Sequence, residues 1–171
     1  VLTVANGAGY TVGDPDSATV TIAASDEVIE TFESGDGSGG TGWSAPWTFS
    51  GGASVVDGMV HSGRYQLALN GVWAQAARSA DLSDAPSAQL RFYWRTHSFE
   101  IGDCATVEIY DGSQWHEVLR VADEPEDYIY HLVEIDLSPF TLTADFQLRA
   151  SGSAHDANDY FFMDDILITG I

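Results

Sequence analysis

The stretch that decides the fold is Tyr160–Gly170, YFFMDDILITG. Its Phe, Met, Ile and Leu residues make a buried β-strand, yet two adjacent aspartates, Asp164 and Asp165, stand in the middle, where Asp is disfavoured. Side chains alternate along a strand, so strict alternation puts Phe162, Asp164, Ile166 and Ile168 on one face. With the isoleucines facing the core, Asp164 is aimed at the core margin. A buried carboxylate without a partner is costly. Asp164 therefore needs a metal ion, an arginine or a set of backbone N–H groups. Asp165, of opposite parity, faces outward or adds an oxygen to the same partner.

Working outward from that strand, the chain is a succession of short alternating runs: SATVTIA, YQLALN, AQLRFYWRTH, ATVEIY, WHEVLRVA, HLVEIDL and DFQLRA. Gly, Asp, Ser and Pro clusters separate them, and no helical period of useful length occurs. This pattern predicts an all-β sandwich of two antiparallel sheets. YDGSQW, with Asp111-Gly112 between two runs, predicts a hairpin. The 171 residues suffice for one domain with a substantial core.

Charge narrows the partners. The chain carries 26 Asp and Glu against 6 basic residues, all Arg, a formal net charge of −20. Such a surface repels phosphate backbones and anionic lipid, so neither nucleic acid nor a membrane is an expected partner. No apolar run has the roughly 20 residues of a membrane-spanning helix. A single cysteine, Cys104, excludes an internal disulfide and a cysteine-based zinc site, and reads as a small core residue.

Residues 1–26 differ in style from the rest. VLTVANGAGYTVGDPDSATVTIAASD is two strands joined by a Gly/Asp/Pro connection, with a polar exit, and it resembles the closing hairpin of a Calx-beta or cadherin-like repeat. The boundary falls near Asp26, giving a hairpin plus linker over 1–26 and a second unit over 27–171. Within that unit TFESG, TGW, VVDGMVHSGRYQLAL, LRFYW and YFFMDDILI follow in order. Together they resemble the MAM-like and carbohydrate-binding jelly rolls of secreted bacterial proteins. Cysteines typical of animal MAM domains are absent. The resemblance implies a jelly roll with adjoining first and last strands, often joined by a structural calcium. It also implies a secreted or cell-surface setting, with neighbouring domains of the same chain as partners. Calcium takes six to eight oxygens in irregular geometry. Glu33, Asp57, a carbonyl near His61, and Asp164 form the expected set.

Two ligand faces are candidates. In QLRFYWRTH, alternation sends Leu90, Phe92 and Trp94 inward and Arg91, Tyr93, Arg95 and His97 outward. Arg149 in DFQLRA points outward as well and joins them if the two strands share a sheet. Guanidinium forks grip carboxylates and sulfates, and tyrosine rings stack on sugars, so this row suits an acidic or sulfated polysaccharide. The same arginines serve equally as partners of neighbouring Glu and Asp. The second candidate is the loop edge, with Trp43, Trp47, Trp73 and Tyr128, where an exposed indole offers a flat apolar face; Trp43 also reads as a packing residue.

Catalysis lacks a constellation. Glu134-Ile135-Asp136 is similar to the acidic strand of family 16 glycoside hydrolases, but Pro139 stands where the third acid belongs. Retaining hydrolysis needs that second carboxyl. The five histidines show no HExxH spacing, and no Gly-x-Ser-x-Gly elbow occurs. The sequence thus predicts a non-catalytic polysaccharide-binding module with a structural calcium, the alternative being a structural or adhesive module that spaces domains or grips a protein surface.

Overall fold

The computed structural model describes residues 27–122 and 128–170, together with 2–3, 8–9 and 17–18. Two short strands, β1 (Leu2–Thr3) and β2 (Ser17–Ala18), pair antiparallel. Most of the proposed repeat hairpin over 1–26 lies outside the described residues. β3 (Glu27–Glu30), β4 (Thr48–Ser50), β5 (Ala53–Asp57), β6 (Tyr65–Asn70) and β7 (Val72–Ala80) follow. After these come β8 (Ala88–His97), β9 (Cys104–Tyr110), β10 (Trp115–Ala122), β11 (His131–Asp136), β12 (Phe146–Ser153) and β13 (Tyr160–Gly170). No helix occurs among the described residues.

β10-β9-β12-β7-β4 form a five-stranded antiparallel sheet, and β11-β8-β13-β6-β5 with β3 form a six-stranded one. The two pack as a jelly-roll sandwich. Between them lies the core that the alternating runs predict. Leu67, Leu69, Leu90, Phe92, Phe161 and Met163 come from one sheet, facing Val107, Ile109, Phe146 and Leu148 from the other. The YDGSQW hairpin joins β9 to β10, with the Asp111 N–H donating to the Gln114 carbonyl at 3.2 Å across Gly112-Ser113. Asp111 Oδ1 accepts from the N–H groups of Ser113 and Gln114, both at 2.9 Å, and closes that turn. These bonds and the Ser113 hydroxyl, the largest contributor, hold the Asp111 carboxyl far below the usual range.

β13 carries the answer to the paired aspartates. Along one edge it pairs with β8 throughout; along the other it pairs first with β6, through Met163, and then with β3, from Ile166. The aspartates sit at the switch. Opposite β8 the register runs from Asp164↔Tyr93 to Leu167↔Arg91, one residue too many on β13. This is a β-bulge, with Asp165 at φ +46°. The bulge resets the alternation, which corrects the single face expected for Phe162, Asp164, Ile166 and Ile168. Phe161 and Met163 point inward before it and Ile166 and Ile168 after it, while Phe162 and Asp164 lie on the outer side. A strand with two apolar parities can hold two aspartates without placing either in the core.

Candidate functional site

Asp164 is fully buried, and its partners are N–H groups. Oδ2 accepts from the backbone of His61 (3.0 Å) and Ser62 (3.2 Å), and Oδ1 from Asp165 (2.8 Å). Burial pushes its pKa up to about 6, against the pull of those bonds and with Asp165's charge adding to the rise. Asp165 takes the His61 ring, Nδ1 at 2.7 Å, and the Ser62 hydroxyl at 2.8 Å. Glu33 Oε1 accepts from the next two N–H groups along, Arg64 (2.8 Å) and Tyr65 (2.9 Å), which hold its carboxyl below the usual range. Gly63 lies between these carboxylates at φ +65°, where a Cβ would meet Glu33 Oε1 at 2.3 Å. No side chain fits there. Residues of TFESG, HSGRY and FFMDD, far apart in sequence, thus meet at one loop.

The expected calcium set reaches the same loop with its polarity reversed. Glu33 holds two N–H donors and Asp164 three, and Asp57 is exposed beside Arg64, 3.9 Å from its guanidinium. His61 donates its N–H to Asp164 Oδ2 at 3.0 Å. Among the described residues no group of three or more His, Cys, Asp and Glu is arranged to hold a metal ion. As arranged, these four residues do not fit calcium.

The loop edge closes the sandwich. Trp47 is buried, and its indole N–H donates to Glu30 Oε2 at 3.0 Å. Trp43 donates to the Ile29 carbonyl at 3.0 Å and lies under the Arg78 guanidinium. Arg78 ion-pairs with Glu30 across the two sheets and donates to the Ala45 carbonyl. Burial lowers the Arg78 pKa, with Glu30's charge opposing. Sequence reasoning missed this pair, although the signal was legible. Val28 and Glu30 share the inward parity of β3, as do Ala76, Arg78 and Ala80 that of β7. Neither Trp43 nor Trp47 presents a free ring to a ligand.

The predicted arginine row divides. β12 lies in the five-stranded sheet and β8 in the six-stranded one, so Arg149 stands on the opposite side of the sandwich from Arg91 and Arg95. There Arg149 pairs with Glu108 (Nε 2.9 Å, Nη2 2.8 Å) and stacks on Trp115. Arg91 pairs with Glu134 at 3.0 Å. Arg95 differs. It points outward from the sheet as expected but is covered, only 2% exposed. Its guanidinium lies 4.5 Å from the Phe162 ring centroid and 5.5 Å from that of Tyr130. Its Nε has no hydrogen-bond acceptor among the described residues. Among the described residues the other five arginines each pair with a carboxylate, and Arg95 with none.

Around Arg95 the outer face of the six-stranded sheet forms a pocket of about 390 Å³, lined by Gln66, His97, Tyr160 and Phe162 with Asp57 and Met59 at its loop side. Cross-strand pairing sets the floor: Phe162 stands beside Ala68 and Arg95, and Tyr160 beside Asn70 and His97. Tyr160 and Phe162 are stacked, their planes 8° apart. Gln66 is buried and accepts the Tyr130 hydroxyl, whose pKa burial pushes up to about 12. The His61 ring stacks on Tyr93, centroids 3.5 Å apart, and meets the Tyr130 ring edge-on at 5.4 Å. Sequence reasoning missed Gln66, Tyr160, Phe162 and Tyr130. The parity of YQLALN exposes Gln66, whereas nothing in the sequence places Tyr130 over β8.

No family model matches the sequence, and no curated protein matches it. The fold does have solved neighbours. A family 61 carbohydrate-binding module, TmCBM61, solved with β-1,4-galactotriose, is 20% identical, with a TM-score of 0.57 over 82% of this chain and 94% of the module. The CBM22-1 xylan-binding domain of Paenibacillus barcinonensis Xyn10C is 16% identical, with a TM-score of 0.56 over 88% and 98%. A cleaved adhesin domain of Lys-gingipain from Porphyromonas gingivalis is 10% identical, with a TM-score of 0.59 over 85% and 98%. At these identities the likeness is one of fold.

Proposed function

We propose that the domain is a non-catalytic carbohydrate-binding module that holds an acidic or sulfated glycan in the pocket above Arg95, as part of a secreted or cell-surface multidomain protein. The observation that carries this reading is Arg95 itself. A buried cation is costly unless paired. Here one is kept without an acidic partner among the described residues, in a pocket lined by the Tyr160 and Phe162 rings. A carboxylate or sulfate from a ligand would complete it, two-pronged, while Tyr160 and Phe162 offer ring faces to the sugar and Gln66 and His97 polar edges. The solved carbohydrate-binding neighbours support the class by analogy of fold alone. Glu134 and Asp136, the acids of the hydrolase-like string, have structural duties. Glu134 pairs with Arg91, and Asp136 accepts from the Ser138 N–H at 2.9 Å.

Affinity electrophoresis tests the reading. The protein is expected to be retarded in gels containing polygalacturonate, alginate or dextran sulfate, and less so as salt rises, because screening shortens to about 10 Å at 0.1 M. Migration unchanged in all three polymers sinks it. The adhesin-domain neighbour supports the second reading, a module that grips protein or spaces its neighbours, which then takes its place.

A further inference from the structure

Trp73 does none of the work that usually explains a tryptophan. It is 84% exposed, so it contributes little to the core. Its backbone is in the left-handed region, φ +66°, where a bulky side chain is strained. It is also the extra residue of a β-bulge, since Val72 pairs with Ser153 and Ala74 with Gly152. Gly51, itself at φ +59°, packs against the Trp73 carbonyl so closely that a Cβ would lie 2.4 Å from it. The strained backbone is therefore clamped from behind while the indole is left in solvent. Bulges of this kind re-aim a side chain.

The indole borders a groove of about 350 Å³ over the five-stranded sheet, within the range of small-ligand sites. Its floor is a cross-strand row, Gln75–Ser151–Thr106, with Ser153 and Ser50 beside it. Gln75 Nε2 reaches Ser151 Oγ at 3.3 Å. Among the described residues no charged side chain lines this groove, on a chain of net charge −20. Its chemistry is that of hydroxyl and amide groups beside a flat apolar ring.

From the clamped, exposed indole and its uncharged floor, we infer that this groove is a second carbohydrate site, chemically distinct from the Arg95 pocket and on the opposite face, that takes a neutral oligosaccharide. The indole stacks on the apolar face of a pyranose, and Gln75, Thr106 and Ser151 bond its hydroxyls. An anionic glycan gains nothing there, because no cation among the described residues lines the groove.

Calorimetric titration of the full chain with xylohexaose and with β-1,4-galactotriose tests the assignment. At least one is expected to bind, and Trp73→Ala to weaken it by roughly tenfold or more. Retention in polygalacturonate gels is expected to stay at the wild-type level, because Trp73 lies outside the Arg95 pocket. Saturating oligosaccharide is also expected to slow alkylation of Cys104, which lines the same groove. Trp73→Gly serves as the folding control: the left-handed conformation suits glycine, so its melting temperature should match or exceed wild type. The inference is overturned if neither oligosaccharide binds, if Trp73→Ala binds like wild type, or if it weakens polygalacturonate retention equally. Loss of polygalacturonate retention in the wild type, with oligosaccharide binding intact, sinks the Arg95 reading and leaves this one standing.

Discussion

Replacing Arg95 by methionine should make the protein more stable and less able to bind. Methionine fills a similar volume without charge. Two contacts are lost, those of the guanidinium over Phe162 and Tyr130 at 4.5 and 5.5 Å, about 1–2 kcal/mol together. Against this stands the desolvation of a cation that is 2% exposed with no carboxylate beside it among the described residues. Exchanging buried charges for apolar side chains typically returns about 1–4 kcal/mol. The balance is a gain of about 1 kcal/mol, a rise in melting temperature of roughly 2–4 °C for a domain of this size. Binding moves the other way. A two-pronged charge-assisted contact is worth about 1.5–3 kcal/mol, so affinity for polygalacturonate should fall roughly ten- to hundredfold. Scanning calorimetry and affinity electrophoresis read the two effects on one sample. A melting temperature lowered by several degrees would refute the reasoning, because it would make Arg95 part of the framework. Unchanged retention would remove it from the site.

Gly63→Ala should destabilise by about 1–2 kcal/mol from its left-handed backbone alone and by more through the clash with Glu33. Glu33→Ala in the same chain should relieve the second part only, and urea melts that show simple additivity would contradict the contact. EDTA should leave the melting temperature unchanged, since Glu33 and Asp164 already hold N–H donors; a fall restored by added calcium would put an ion at that loop. Asp164 should make stability depend on pH between about 4 and 6. Its folded pKa, about 6, lies above the ordinary 3.8, so the native state binds the proton more tightly. The associated stability, roughly 3 kcal/mol at most, is full below pH 4 and lost as pH rises through 6. Asp164→Asn should abolish that slope while leaving whatever the histidines contribute; an identical slope in both proteins would rule Asp164 out as its source.

The sandwich was legible because alternation is local: each run declares its own inward face, and Phe92, Ile109 and Leu148 lie where their parity puts them. The site was less legible because it depends on which strands share a sheet. Arg149 has the outward parity expected of it, yet β12 joins the other sheet, which no feature of DFQLRA encodes. Arg95 likewise has the right parity, but its burial comes from Tyr130 and Phe162, brought over it by other elements. For Asp164 the sequence identified the demand for a partner and left three open. The bulge then aimed the carboxylate at backbone donors rather than at a cation.

Bulges also explain why each face of this sandwich carries a candidate site. An unbroken strand can offer its outer face only what strict alternation leaves over, and every outward side chain then stands at the same height above the sheet. One extra residue breaks that limit. On the six-stranded sheet the insertion at Asp164–Asp165 lets the strand change partner, and the two carboxylates tie down His61, whose ring meets Tyr130, the ring over Arg95, edge-on. On the five-stranded sheet the insertion at Trp73 lifts an indole beside a row that is otherwise short and polar. The same device thus serves opposite chemistries: one bulge turns a buried acid onto the backbone donors of the His61–Ser62 loop, and the other holds a strained backbone that exposes a ring. Deleting either inserted residue should restore regular pairing and leave the core intact, while removing the feature that makes its face a site.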